Sequence, residues 1–333
     1  MSAESGHIKL FFREAIARAL REAMVADPRV IVLGQDVGAF GGAYKEFLGL
    51  FATFGADRVR DTPVAEASMV AVGVGAAAAG LRPLVSITYM DFLMLGFDAL
   101  VNYAAKARFK TAGRITAPVV VKTTAGAKGQ GVAHSQCLES WLMGVPGLTV
   151  VVPATAADAY GLMKSALRHD GPVIFVDHKR LFPTAGEVPL AEVATPIGRA
   201  LVRRQGRDLT IAVHGFMVRV ALEAAERLAR AGVECEVVDL RSLAPLDVET
   251  IAASVGRTRT LVTLEEGQVT CGVGAEVAFR VQEAVGPVRV ARVGALAAPV
   301  SSNPMLEAAC VPDAARVALA VNRVLDLAPP PTA

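Results

Sequence analysis

Short β-branched runs recur along the chain with helix-length stretches between them. In the first part these are "VIVLGQDV" (30–37), "PLVSITY" (83–89), "PVVVKTT" (118–124), "LTVVVPA" (148–154) and "PVIFVDH" (172–178). Strands apolar on both faces and separated by helices predict a parallel sheet covered by helices, an α/β layer domain. From about 183 to 207 the pattern lapses into prolines and scattered charges, as in a connecting segment. Beyond it "DLTIAVHG", "ECEVVDL", "TLVTLEEG" and "VRVARVG" alternate with helical stretches, predicting a second, smaller α/β unit. The expected division is a domain over 1–185, a linker over 186–207 and a domain over 208–333. The final "APPPTA" is expected to fray.

Two segments refine this pattern. The first residues, "MSAESGHIKLFFREAIARALREAM", carry charges where a signal peptide needs an uncharged core, so an amphipathic helix is expected and no export. Ala67 to Leu81 is uncharged but shorter than the ~20 residues that span a bilayer, so a buried helix is expected and no membrane partner. Within it, Gly73, Gly75 and Ala78 satisfy G-x-G-x-x-A. A dinucleotide fingerprint needs a strand just before it, whereas a helical pattern begins here near Pro63, so close helix packing is the better use of these small residues.

Composition adds an interface and removes some partners. Apolar residues make up 53% and charged residues 20% of the 333, which implies a large subunit interface. The formal charge of +2 is spread over 34 basic and 32 acidic residues without a basic tract, so nucleic acid is not an expected partner. Four cysteines, Cys137, Cys235, Cys271 and Cys310, lie far apart with no C-x-x-C spacing, which suggests neither a metal site nor a disulfide framework and fits a reducing cytoplasm.

Glu66 heads the apolar segment without an evident local partner. Thr62 and Pro63 suit the N-cap and first position of a helix, which would place a capping-box acid at Ala65, one residue short of Glu66. Residues i+3 and i+4 are Met69 and Val70, so no helical ion pair forms. Glu66 is either an exposed first-turn acid favoured by the helix dipole or a carboxyl held in an apolar wall for a ligand. His134 lies on the glycine-rich stretch after "PVVVKTT", at a strand's C-terminal end, where open α/β sheets place ligands. Ser135 beside it suggests a hydrolase, but no G-x-S-x-G elbow is present. His169, His178 and His214 show no metal-ligand spacing, and "LEEGQVTCGVGAEV" reads as an ordinary strand-to-helix connection.

Taken together, "GQDVGAFGGAYKEFLGLFATFGADRVRDTPVAEASMVAVGVGAAAAGLRP", "DFLMLGFDALVNYAAKARFKTAG", "AHSQCLESWLMGVPGLTVVVPATAADAYGLMKSALRHDGPVIF" and "VECEVVDLRSLAPLDVETI" resemble the beta subunits of thiamine-diphosphate-dependent 2-oxo acid dehydrogenases. The resemblance implies a transketolase-like pyrimidine-binding domain followed by a transketolase C-terminal domain. It also implies pairing with an alpha subunit as an α2β2 heterotetramer, with Mg2+ and the cofactor's diphosphate held mainly by alpha, since the G-D-G magnesium motif is missing here. It implies, finally, transfer of an acyl unit from a 2-oxo acid (or from acetoin) to the lipoyl group of an acyltransferase.

By the same resemblance, Glu66, the acid of D-T-P-x-x-E, contacts the aminopyrimidine ring of thiamine diphosphate and favours the tautomer that activates the cofactor. His134 of H-S-Q assists proton transfer near the thiazolium, and Tyr89 or Phe92 faces the pyrimidine. Two departures stand out: Ser86 replaces an acid found in most relatives, and His169 replaces an Asp that helps some of them hold a monovalent cation. Two rivals remain at this point, a split transketolase-like carboligase without a lipoyl partner and a non-catalytic assembly subunit.

Overall fold

A computed structural model describes residues 6–327; the tail expected to fray, 328–333, lies outside the described residues. The apolar runs form strands as expected, and shorter ones join them. In the first half these are β1 (His7–Phe11), β2 (Val30–Gly34), β3 (Val59–Asp61), β4 (Arg82–Ile87), β5 (Val120–Ala125), β6 (Thr149–Val151), β7 (Val173–His178) and β8 (Ala185–Pro189). Strands β2 to β7 pair in parallel in the order β6-β7-β5-β4-β2-β3, and β1 and β8 pair antiparallel. Every residue of β2, β5, β6 and β7 is buried, as a sheet covered on both faces requires.

The first helix, Phe12–Ala26, buries Phe12, Ala15, Ile16, Ala19, Leu20 and Met24, a helical stripe, and packs on the helix Ala156–Arg168. Burying each of its larger aliphatic side chains contributes roughly 1.5–3 kcal/mol. Thr155 starts the second of these helices by accepting the Asp158 N–H at 3.1 Å.

The second half contains β9 (Leu201–Arg204), β10 (Leu209–Val213), β11 (Cys235–Asp239), β12 (Ser242–Ala244), β13 (Thr260–Gln268) and β14 (Arg289–Ala295). Five of them form a sheet in the order β14-β13-β10-β11-β9, parallel except for β9. Strand β8 overlaps, and β9 lies within, the segment expected to connect the two domains.

Contacts divide the chain into two compact units, one of Met1–Ala125 with Trp141–Ile197, the other of Gly126–Ser140 with Gly198–Ala333. The stretch bearing His134 thus packs with the second unit although it follows β5 of the first.

Two expectations for the segment after β3 need correction. Its helix runs Glu66–Ala78, not from Pro63. The Thr62 N–H is spent on the Gly34 carbonyl at 3.0 Å, which continues the β2–β3 pairing and keeps the chain extended past Pro63. Nor is the helix buried all round: Met69, Val70, Gly73, Val74 and Ala77 are covered, while Ala67, Ser68, Ala71, Val72, Gly75 and Ala78 are exposed. Gly73 lies where a Cβ would collide with Val85 of β4, so the small residue serves close packing on the sheet.

Candidate functional site

The C-terminal ends of β2, β3, β4 and β7 bring the first unit's polar groups to one edge, where open α/β sheets bind ligands. The chain passes from β2 to β3 on one side and returns to β4 on the other, so β2 is a switch point. Gln35 follows β2, Glu66 follows β3, Tyr89 follows β4 and Lys179 follows β7.

Glu66 is 6% exposed and is the first residue of its helix, where the dipole favours a carboxylate. This excludes the exposed-acid alternative. The Gln35 side-chain amide donates to its Oε1 at 3.5 Å, a long bond that leaves acceptor capacity. A buried carboxyl so held suits a ring N–H or ring nitrogen, and the apolar neighbours Met69 and Val70 on the same face exclude water.

Tyr89 is half-buried, its hydroxyl 3.2 Å from that of Tyr44 and its ring beneath the Lys179 ammonium, 4.3 Å from the centroid. Tyr44 in turn stacks on Phe182 at 4.3 Å, and burial, followed by its bond to Tyr89, pushes its phenol well above the usual range. Phe92 is half-buried in the short helix Met90–Leu93 that follows.

Behind this wall lies Lys122, fully buried in β5, with Glu46 at 3.0 Å and Asp177 at 2.9 Å. Burial opposes its charge, but Asp177 and Glu46 outweigh that and hold the ammonium above its ordinary range. Burial pushes the Asp177 carboxyl upward, against the pull of Lys122. Glu46 also accepts the Tyr44 N–H at 3.0 Å, tying the Tyr44 turn to the lysine. Ser86 stands in register between Gly34 and Lys122, so the lysine draws its acids from Glu46 and Asp177 and not from that strand position.

In the second unit His134 is half-buried on the loop 126–140, its N–H on the Gly131 carbonyl at 3.2 Å. The Ala127 N–H donates to Glu266 at 2.7 Å and the Gly129 N–H to Glu307 at 2.6 Å. Glu265 accepts the N–H groups of Val273 and Gly274, at 2.8 and 2.9 Å, at the start of the helix Val273–Val285. The anion at that helix terminus is thus the protein's own. Burial pushes Glu265 up to about 7 and Glu139 up to about 8, the latter with help from Glu266 and Glu265. Burial lowers His214 to about 4, which fits a structural histidine. His169 accepts the Gly171 N–H at 3.0 Å, and the neighbouring Asp170 pairs with Arg82 at 2.7 Å.

Family models match on both sides of the divide, "Transketolase, pyrimidine binding domain" over residues 9–184 and "Transketolase, C-terminal domain" over 198–317. The chain is 46% identical over 276 residues to pyruvate dehydrogenase E1 component subunit beta-1, mitochondrial, of Oryza sativa subsp. japonica, covering 81% of this chain and 74% of the relative. It belongs to the E1 beta-subunit family. Acetoin:2,6-dichlorophenolindophenol oxidoreductase subunit beta of Cupriavidus necator, another relative, is 39% identical over 95% of this chain and 98% of its own. A solved "Split gene transketolase, inactive beta4 tetramer" superposes with a TM-score of 0.78 at 28% identity, covering 97% and 99%. The family is thiamine-diphosphate-dependent, and its dehydrogenase members do not favour the carboligase alternative.

For an E1 beta-type chain, sequence reasoning missed Gln35, Tyr44, Glu46, Lys122, Glu266 and Glu307. Lys122 had a legible signal, a lone cation inside the apolar run "PVVVKTT". The glutamates of "LEEG" were visible too, but nothing local tied them to His134. Among the described residues no helix is long and apolar enough to cross a membrane.

Proposed function

We propose that this chain is the catalytic beta partner of a 2-oxo acid dehydrogenase, with residues 1–185 binding the pyrimidine of thiamine diphosphate and 208–333 forming the C-terminal domain. The observation that carries the reading is Glu66, buried at a helix start, whose one side-chain hydrogen bond among the described residues is the long one from Gln35. The cofactor, when bound, supplies a carbon nucleophile for the 2-oxo acid carbonyl and accepts the electron pair released as carbon dioxide leaves.

Glu66 holds the hydrogen bond at the aminopyrimidine ring nitrogen, and its dry surroundings strengthen that bond. Tyr89 or Phe92 packs against the pyrimidine, with Tyr89 steadied by Tyr44 and Lys179. In the last step the acyl unit would leave the cofactor for one sulfur of a lipoyl disulfide as the S–S bond breaks, the pair from its bond to the cofactor returning to the cofactor, and His134 would give a proton to the departing sulfur.

An alpha subunit completes an α2β2 tetramer and holds Mg2+ with the diphosphate. Support comes from the missing G-D-G motif and from exposed apolar surface, with Val72 61%, Tyr103 59%, Phe109 91% and Met305 81% exposed. A lipoyl acyltransferase is the further partner, and four free cysteines support a reducing, cytoplasmic setting.

The test is co-purification with alpha followed by a panel of 2-oxo acids and acetoin. The reading predicts cofactor-dependent acylation of lipoamide, with weak or no cofactor binding by beta alone. Carbon–carbon bond formation without lipoamide acylation would overturn it.

A further inference from the structure

We propose that Glu266 and Glu307 are positioning residues for His134, a two-carboxylate clamp by which the C-terminal unit fixes the loop 126–140. This rests on the reading that His134 serves acyl transfer.

Glycines 126, 129 and 131 all have positive φ, a conformation glycine adopts without steric cost, and the loop closes on itself where the Gly126 N–H donates to the Gln136 carbonyl at 3.4 Å. Further anchoring comes from elsewhere in the same unit. Glu266 accepts from Ala127 at 2.7 Å and Glu307 from Gly129 at 2.6 Å, two short bonds to amides two residues apart. Ionised acceptors make such bonds roughly twice as strong as neutral ones. Glu266 sits on β13 and Glu307 on the helix Pro304–Cys310, so the loop is gripped from two elements.

The approach is close on both flanks. A Cβ at Gly131 would touch Ser302, just ahead of that helix, and one at Gly267 would press on the Cys137 carbonyl. Between the clamp and the helix start at Glu139, His134 is therefore carried on a segment with little slack. Its N–H bond back to Gly131 passes the restraint to the imidazole-bearing residue. A geometric error of about 1 Å at a transfer group costs up to ~100-fold in rate, which sets the scale of what the clamp protects.

The experiment uses the complex reconstituted with alpha and compares Glu266→Gln, Glu307→Gln and the charge-keeping Glu307→Asp with the parent. Two rates are read, lipoamide acylation and dye-linked oxidation of the same 2-oxo acid, which needs no lipoyl acceptor. Amide hydrogen exchange over 126–136 is read alongside.

The ratio of acylation to dye reduction is expected to fall about tenfold in both Gln variants, with faster loop exchange and partial rescue by Asp. An unchanged ratio with unchanged exchange overturns the clamp. If one Gln variant does not assemble, the other decides. His134→Ala separates the two readings. If it leaves acylation intact, the role of His134 fails, while the exchange data still judge the clamp.

Discussion

Glu66 begins a helix laid on a parallel sheet, and its hydrogen-bond partner Gln35 lies 31 positions away. His134 rides instead on a glycine-rich loop whose acidic anchors stand 139 and 178 positions from the amides they accept. The acid is placed by regular structure and apolar burial, which tolerate little motion. The histidine's loop is held by hydrogen bonds from its amides to two glutamates, each replaceable. On the proposed reading, a fixed group suits an acid that keeps one bond to a bound ring, and a tethered loop suits a residue that serves an arriving acceptor.

The contrast is broken most severely at Glu66. In the reconstituted complex Glu66→Gln is expected to lower cofactor-dependent turnover by about a thousandfold with the fold intact by circular dichroism. Unchanged turnover would end its catalytic assignment. Next comes the support behind Tyr89. Lys122→Met strands Glu46 and Asp177 in the interior and is expected to cost about 3–5 kcal/mol, lowering Tm by roughly 10 °C in a thermal melt.

On the histidine side, His134→Ala is expected to slow lipoamide acylation about a hundredfold while dye-linked oxidation falls much less, as separate assays of each would show. The smallest effect is one of pH. Burial raises Glu139 to about 8 in the folded protein against 4.5 for an ordinary glutamate, so its contribution is fully present below pH 4.5 and is lost as pH rises through 8. Protection of the 126–136 amides, taken relative to their intrinsic base-catalysed exchange, is therefore expected to fall as pH rises from about 4.5 to about 8, and Glu139→Gln to flatten that slope. A parallel slope in the Gln variant would assign the effect elsewhere.

Legibility in the sequence followed the same divide. β-Branched runs pointed to nine strands, most of them buried on both faces, where apolar side chains predominate; β14, half-exposed and carrying Arg289 and Arg292, is the exception. The helix start at Glu66 was misplaced by three residues, since Thr62 and Pro63 look like a cap but Thr62 is committed to Gly34 by sheet pairing. Local chemistry singled out Glu66 by elimination, yet its burial had to be seen. His134 was found by its position after a strand, whereas the unit it packs with and the glutamates that hold its loop depend on contacts that no local pattern encodes.

The loop's membership in the second unit also has a bearing on synthesis. Residues 126–140 leave the ribosome well before the glutamates that anchor them, a delay of roughly 7–36 seconds at ~5–20 residues per second. Over that interval the nascent chain carries the glycine loop without its two glutamate anchors. The histidine acquires its place only when the last third of the polypeptide arrives, so a prematurely terminated product carries the residue without its setting.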